Sequence, residues 1–458
     1  MSSSVSTAGV VSFEEARRIV EEHAGKVRLG IVQSNNTESG NVEPLDLLSA
    51  RGRVLAETLV ADRDFPPFPR ATRDGYAVRA ADVEQVPAQL EVMGEIKAGD
   101  SRGGSAVGAG QAVSIMTGAP LPVGADAVAM VEYTASSGKS VEIQRSVKSG
   151  ENFVPRAAEA RAGQVLVEQG LRLDHSLIAI AAAVGKSRVR VFGKPRVAVL
   201  STGDEVVEID AAPGPAQIRN SNSYSLAAQV EEAGGEAVRL PIAPDEPARL
   251  RALIEEGLSC DLLLLTGGVS MGKYDLVEQV LGELGAEFYF TGAKIQPGKP
   301  VVFGSCRCGT GAPSASSGQA LAREGSTGAV STRAGAPAPH GIAAQRYFFG
   351  LPGNPVSTMV TFELFARPMI EALAGMTAEP LIFLRARLKS EIRTKTGLKR
   401  FLPAVLTGEF ENAEVELARW QGSGDIAALG RSNCYVVVPP DRERIDGGEW
   451  VSLLMRSS

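Results

Sequence analysis

The stretch that most constrains this chain is LLLLTGGVSMGKYD, residues 262–275. Four consecutive leucines bounded by turn residues read as a short buried strand. Thr266, Gly267 and Gly268 then let the backbone turn sharply, because glycine has no Cβ in the way. Ser270 adds a hydroxyl, Gly272 a second point of close approach, and Asp275 a carboxylate where the next helix begins. A strand that runs into a Gly-rich loop and a helix start aims unpaired N–H groups and the positive end of the helix dipole into one place, which suits an anion. Asp275 does not suit a bare phosphate; it suits one that arrives with a divalent metal. The same residues also make an ordinary strand-to-helix turn with Asp275 as its cap, so the rest of the chain has to decide.

From Lys194 onward strands and helices alternate. PRVAVLSTGDE (195–205) reads as a buried strand ending in Ser201, Thr202, Gly203, Asp204 and Glu205. A helix over 223–233, a strand over 237–242 and a helix over 245–256 follow. After residue 275 come a helix through Leu284 and a strand near Phe288. This grammar predicts a doubly wound, mostly parallel α/β sheet. Ligands of such sheets bind beyond the carboxyl ends of the strands. Asp204, Glu205 and Asp275 all lie just past strand ends, so one crevice is expected to gather three acids around a metal ion. Lys299 is held between Gly298 and Pro300 in KIQPGKPVVFG. RYFFGLPGNPVS predicts a strand, a turn through Gly353, and a helix from about Asn354 to Leu373 that presents Asn354 and Ser357 at its start.

The flanking regions differ in kind. A capping pattern at Ser12 and Glu15 predicts a first helix ending at Gly25, and residues 45–61 read as a shorter helix broken near Gly52, then a strand. DRDFPPFPRATRDGYAV (62–78) carries prolines that deny it helix or central strand, so it is expected to be a presented segment with Asp74 beside Arg70 and Arg73. Short alternating runs between 89 and 146 predict a small β module, with Thr117 on one of its turns. Asp174 is placed to cap a helix through Val184. Residues 305–345, rich in Gly, Ala, Ser and Pro, are expected to form a mobile insertion. Short strands return from 380 to 454, with a polar loop at 422–425. The expected division is a helical linker region (1–65 and 148–173) interrupted by an inserted all-β module (66–147), an α/β domain (174–376) and a C-terminal, barrel-like β module (377–458).

A length of 458 residues is in line with several domains. The net charge of −6 argues against a nucleic-acid surface, which needs a basic stripe. No basic segment followed by an apolar core opens the chain, and the apolar run 177–184 is too short to span a bilayer, so a cytoplasmic location is expected. Cys260, Cys306, Cys308 and Cys434 build no disulfide framework, and with only His23, His175 and His340 available a zinc site is not expected.

Six motifs occur in order: DGYAV (74–78), MTGAP (116–120), STGDE (201–205), TGGVSMGKYD (266–275), PGKP (297–300) and GLPGNPVS (350–357). Together they resemble the molybdopterin molybdenumtransferase family, which carries out the last step of molybdenum cofactor synthesis. The resemblance spans the chain except the insertion after Gly304. It implies an elongated homodimer with a site shared between subunits. The substrates would be adenylylated molybdopterin and molybdate, with AMP as a product and Mg²⁺ as cofactor. By the same resemblance, Ser201, Gly203, Gly267, Gly268, Ser270, Gly272 and Gly353 would hold the nucleotide phosphate, and Asp275, Glu205 and Asp204 the Mg²⁺. Lys299 and Ser357 would face the oxyanion, and Pro300 and Asn354 would be further binding residues. Asp74 matches the family's functional acid, and Thr117 would line its cleft. The upstream adenylyltransferase and recipient apo-molybdoenzymes would be further partners.

The sequence departs from the family pattern in three places: Arg73 stands where a Met is usual, Gln296 where a Lys is usual, and VPRAAE (154–159) keeps only Arg156 and an acid of an arginine-rich motif. Rival readings are the related adenylyltransferase, a non-catalytic molybdopterin-binding scaffold of the kind gephyrin provides, and a homologue that inserts tungstate.

Overall fold

The computed structural model describes residues 9–34, 41–100, 106–267, 276–307 and 345–456. The chain divides into two units, one of residues 1–43, 52–54 and 191–458, the other of residues 44–51 and 55–190.

The larger unit contains a six-stranded sheet in the order Glu236–Arg239, Arg196–Ser201, Leu262–Thr266, Gln345–Leu351, Val302–Arg307, Glu287–Phe290. The first four strands are parallel, Val302–Arg307 runs antiparallel to them, and Glu287–Phe290 pairs antiparallel with it and so runs with the first four. The leucine run explains why the sheet needs cover on both sides. Leu262 and Leu264 pack with Val197, Val199, Phe349 and the helices Phe13–Ser34 and Ser221–Glu232. Leu263 and Leu265 pack on the opposite face with Leu250, Ile254, Val277 and Val280. All four are fully buried. Alternate side chains of one strand thus feed two cores, and a run with no polar residue is what a doubly covered parallel strand requires.

Register then fixes the level of the strand ends. Ser201 lies opposite Thr266, and Thr266 opposite Leu351. The three chains therefore leave the sheet side by side as Thr202–Gly203, Gly267 and Pro352–Gly353.

The C-terminal part of the same unit is a closed five-stranded barrel. Lys399–Thr407 pairs with Glu414–Leu417, then Phe383–Leu388, Trp450–Met455 and Cys434–Val438 follow, and the last pairs back to the first. Its interior holds Ala386, Leu388, Ala404, Val415, Cys434, Val436, Val451 and Leu453. Burial pushes the Cys434 thiol up to about 11, so it is an inert core residue.

The smaller unit has a six-stranded sheet ordered Ala127–Met130, Gly75–Val78, Gln111–Ile115, Ala88–Ile96, Ser140–Ile143, Thr134–Ser137. Two short ladders tie it to the chain around it: Phe153–Val154 with Arg70–Ala71, and Val165–Val167 with Leu59–Val60. Asp174 accepts from the Leu177 N–H at 2.9 Å and caps the helix His175–Ala183.

Local boundaries moved where tertiary burial outweighed local signals. The first helix passes through Gly25 and runs Phe13–Ser34, because Phe13, Ala16, Val20 and Ala24 seal one face of the sheet. Residues 45–61 are not a helix followed by a strand; they hold the end of the strand Val42–Asp46, a single turn Leu47–Ala50 and the strand Leu59–Val60. Ser305, Cys306 and Arg307, assigned above to the insertion, complete a strand, as does Gln345. The remainder of that segment, with Cys308 and His340, lies outside the described residues. No helix among the described residues is long and apolar enough to cross a membrane.

Candidate active site

The strand ends of the larger unit enclose a small polar cavity lined by Ser201, Thr202, Glu205, Arg219, Asn220, Asn222, Thr266, Gly267, Gly353 and Pro355. Its walls are backbone. Gly267 has φ +91°, and a Cβ there would stand 2.5 Å from the Thr202 carbonyl oxygen. Gly203 has φ +126°, and its Cβ would meet the Glu205 carboxylate at 2.5 Å. Both positions need glycine for conformation, and Gly267 also for space, since the atom a Cβ would meet there is backbone.

Asparagines tie the three strand ends together. The Ser201 hydroxyl donates to Asn220 Oδ1 at 2.8 Å, and the same oxygen caps the following helix by accepting from the Ser223 N–H. Asn222 Nδ2 donates to Thr266 Oγ1 at 3.0 Å and to the Gly353 carbonyl at 2.7 Å. Asn222 Oδ1 and Thr202 Oγ1 are buried and have no partner among the described residues. A buried acceptor and a buried hydroxyl beside a polar cavity are groups a ligand would satisfy.

The acids are distributed unevenly. Glu205 lines the cavity. Asp204 instead accepts from the Asp245 N–H at 3.2 Å. Asp245 brings a third carboxyl: burial raises its pKa, and the charges of Asp204 and Glu205 raise it further. Sequence reading passed over Asp245, which looks like an ordinary helix-start acid. Gly268, Ser270, Gly272 and Asp275 lie outside the described residues.

A second, wider cavity of about 660 Å³ opens beside the first and is lined by Gln296, Gly298, Lys299, Pro300, Pro352, Asn354, Ser357, Trp420, Gln421 and Ser423, among others. The loop 352–355 lies between them: Gly353 and Pro355 face the first, Pro352 and Asn354 the second. Lys299 is exposed, yet its backbone is pinned, since its carbonyl accepts from the Ala293 and Val301 N–H groups at 3.0 Å each. Gly298, at φ +103°, would drive a Cβ to 2.3 Å from Thr361 Cγ2. Asn354 does not cap its helix with its side chain, as its position suggested. Its Nδ2 donates to Ser423 Oγ at 2.9 Å, and the Val356 N–H donates to the Ser423 carbonyl at 3.1 Å. Ser357 is buried. The loop 420–423 of the barrel module is therefore part of this site. Its polarity was legible in the sequence, but its destination was not, because the contact spans about 70 residues of chain, as the separation of 69 between Asn354 and Ser423 records.

In the smaller unit the structure joins Asp74 to Thr117. The Thr117 N–H and hydroxyl both donate to Asp74 Oδ1, at 2.6 and 2.8 Å. These bonds, the backbone one foremost, hold the exposed carboxyl below its ordinary pKa. The strand behind Asp74 is tightly packed: Gly75 runs in the sheet so close to Ala129 that a Cβ would stand 1.9 Å from the Ala129 carbonyl oxygen. Arg70 pairs with Glu159 and Arg156 with Asp64, so neither is a free anion binder.

Three family models match the chain: the MoeA N-terminal region (domain I and II) over residues 11–185, a probable molybdopterin binding domain over 198–372, and the MoeA C-terminal region (domain IV) over 385–455. A molybdopterin molybdenumtransferase of Nostoc sp. is 34% identical, with 90% of this chain and 88% of that protein aligned. The chain belongs to the molybdopterin molybdenumtransferase family. A molybdopterin molybdenumtransferase of Bacillus subtilis is 30% identical over 91% of this chain and 90% of its own length. A crystal structure of a molybdopterin biosynthesis MoeA protein from Pyrococcus horikoshii superposes with a TM-score of 0.70 at 26% identity, covering 98% of this chain and 100% of that one. The molybdenumtransferase family thus accounts for both units and the barrel.

Proposed function

We propose that this transferase joins molybdate-derived molybdenum to the dithiolene of adenylylated molybdopterin and releases AMP. The observation that carries the reading is the pair of adjoining cavities. One is narrow and framed by glycines and amides; the other is wide and carries a lysine. They share one short loop, as a substrate with a nucleotide at one end and an oxyanion-accepting group at the other requires.

In this reading the first cavity takes the AMP portion, with the backbone around Gly203, Gly267 and Gly353 against the phosphate and Asn222 Oδ1 and Thr202 Oγ1 as partners for it. Gly268, Ser270 and Gly272 are assigned to the same end. Lys299 in the second cavity faces molybdate, where a cation in a partly enclosed site offsets the cost of stripping water from an oxyanion. Pro300, Asn354 and Ser357 shape that end. The two dithiolene sulfurs displace oxygen from molybdate, and the oxygen leaves as water. Asp74, ionised and fixed by Thr117, is assigned to position the water that opens the phosphoanhydride; its Oδ2 is not used by either Thr117 bond.

The acids fit a Mg²⁺ ion held partly by protein. Burial raises the Asp245 pKa first and the charges of Asp204 and Glu205 add to it; a cation beside those two would relieve that added repulsion. No three His, Cys, Asp or Glu among the described residues could hold a metal by themselves. Asp275 lies outside those residues, and a Mg²⁺ ion completes the carboxylates it takes with phosphate and water. Glu205, Asp204 and Asp275 are assigned to it, and when bound it supplies charge neutralisation at the phosphoanhydride. A homodimer, in which the Asp74 loop serves a second copy, and a cytoplasmic location complete the reading, as does the division into linker, inserted β module, α/β domain and C-terminal module.

The test is an anaerobic assay with adenylylated molybdopterin, molybdate and Mg²⁺, following AMP release and activation of an apo-molybdoenzyme. AMP release and active enzyme are expected together. AMP release with no activated enzyme would reduce the protein to a hydrolase, and neither would leave a scaffold.

A further inference from the structure

We infer that the indole of Trp420 is the platform on which the pterin ring of the substrate stacks, which sets the dithiolene beside Lys299. This deepens the function proposed above and rests on it.

The pterin is a flat, conjugated bicycle with amide-like edges. A site that orients such a ring needs a flat apolar face and hydrogen-bonding groups around it. Among the described residues lining the two adjoining cavities, Trp420 is the only aromatic, and it lines the wider one together with Lys299. Gln296 and Gln421 line the same cavity and bring carboxamides, each with donors and an acceptor. Gln296, in the place where the family usually has a lysine, suits a ring edge better than an oxyanion.

The platform is held in place. Trp420 is half-buried. On one side the Arg419 carbonyl accepts from Arg431 Nη2 at 3.3 Å. On the other, the Gln421 N–H donates to Asp425 Oδ2 at 3.1 Å, while Asp425 Oδ1 accepts from Ala428 N–H and caps the helix Ile426–Gly430. Two residues further on, Ser423 is bonded to Asn354 and to the Val356 N–H, so the loop is clamped to the wall that divides the cavities. A ring-binding surface fixed before the ligand arrives loses little freedom on binding.

Since the dithiolene is borne beside the pterin, a ring seated on Trp420 keeps the sulfurs in the cavity that holds Lys299, while the phosphate reaches past the 352–355 loop toward Gly267 and Gly353. The wider cavity thus does two jobs: Trp420 orients the organic part, Lys299 the metal oxyanion.

The chain has two tryptophans. The other, Trp450, is an exposed barrel-strand residue with the Arg385 and Arg387 guanidiniums over its ring, and lines neither cavity. The full-length Trp450→Phe variant therefore reports on Trp420 alone. Titration with pterin-6-carboxylate should quench its emission saturably, with free tryptophanamide as the control for light absorption; AMP should leave the emission unchanged. Emission that falls no further than the control overturns the platform.

In the coupled assay, Trp420→Ala should raise KM for adenylylated molybdopterin about tenfold to a hundredfold, the size of effect a stacking aromatic carries. Its kcat should stay within about threefold, and Trp420→Phe should recover most of the loss. A purely structural tryptophan would lower kcat and thermal stability together and leave KM in place, and that outcome also overturns the inference. Absence of AMP release by the unmodified protein removes the function proposed above, whereas normal release with an unquenched Trp420 removes only the platform.

Discussion

The crevice at the strand ends and the station at Asp74 both present polar groups, in opposite ways. In the crevice the shape is carved by backbone. Three strand ends leave the sheet in register, glycines stand where no Cβ fits, and asparagines bind the loops to one another. At Asp74 an exposed carboxylate is aimed by one neighbour, Thr117, and braced by a strand that begins at Gly75. The first arrangement can exclude water and tolerates little change. The second stays wet and tunable, so its contribution lies in where the charge points and when it is ionised.

The largest expected effect tests whether Asp74 depends on the buried strand behind it. Gly75→Ala places a methyl 1.9 Å from the Ala129 carbonyl in the middle of a sheet. It should cost roughly 3 kcal/mol or more, at the upper end for overpacking. Hydrogen exchange should show lost protection over the strands 75–78, 111–115 and 127–130 while strand 262–266 keeps its own. Uniform loss across both units would mean the two sites do not fold separately enough to be contrasted.

Next in size is Lys299→Ala. Since the backbone around Lys299 is held by its own carbonyl and by Gly298, the melting temperature should barely move. Molybdate-dependent product formation should fall about 10²- to 10³-fold, the usual effect of removing one charge-stabilising donor. A large drop in stability with intact chemistry would place Lys299 in the scaffold instead.

The smallest effect is at the tunable station. Thr117→Val removes the hydroxyl bond to Asp74 and keeps the backbone one, which is the larger cause of the depressed pKa. The Asp74 midpoint, followed by NMR of its carboxyl carbon, should rise part of the way toward the ordinary aspartate value of about 3.9. The sign follows from linkage. A depressed carboxyl stabilises the fold above the unfolded pKa and loses that contribution as pH falls through the folded value. The variant should therefore be less stable than the parent at neutral pH, lose less on acidification and converge with it in acid, while Asp74 stays ionised at neutral pH. An unshifted midpoint would mean that Thr117's hydroxyl does not set the charge of Asp74.

The architecture was readable where local pattern and tertiary role agree. The leucine run, the Gly-rich turns and the Asp174 cap each state their structure within a few residues, and the alternation after Lys194 dictates the sheet. What stayed hidden depends on distance. Asn222 looks like an ordinary residue of a helix start, yet it bonds both Thr266 and Gly353. Ser423 and Trp420 belong by sequence to a barrel loop and by position to the cavity of Lys299. Asp245 shows no sign of its acidic neighbours, because Asp204 lies 41 residues away. Gly25 misled in the other direction: a residue that commonly ends helices is carried through one because the face beside it is sealed.

One feature of the crevice reaches beyond chemistry. The four residues 352–355 form a partition with a cavity on either side, pinned to Asn222 at Gly353 and to Ser423 at Asn354. A partition fixed at both faces sets a span, and a molecule can fill the two cavities together only if its linker matches that span. The wall therefore works as a gauge of length: it selects for how far apart two recognised groups are, independently of what those groups are.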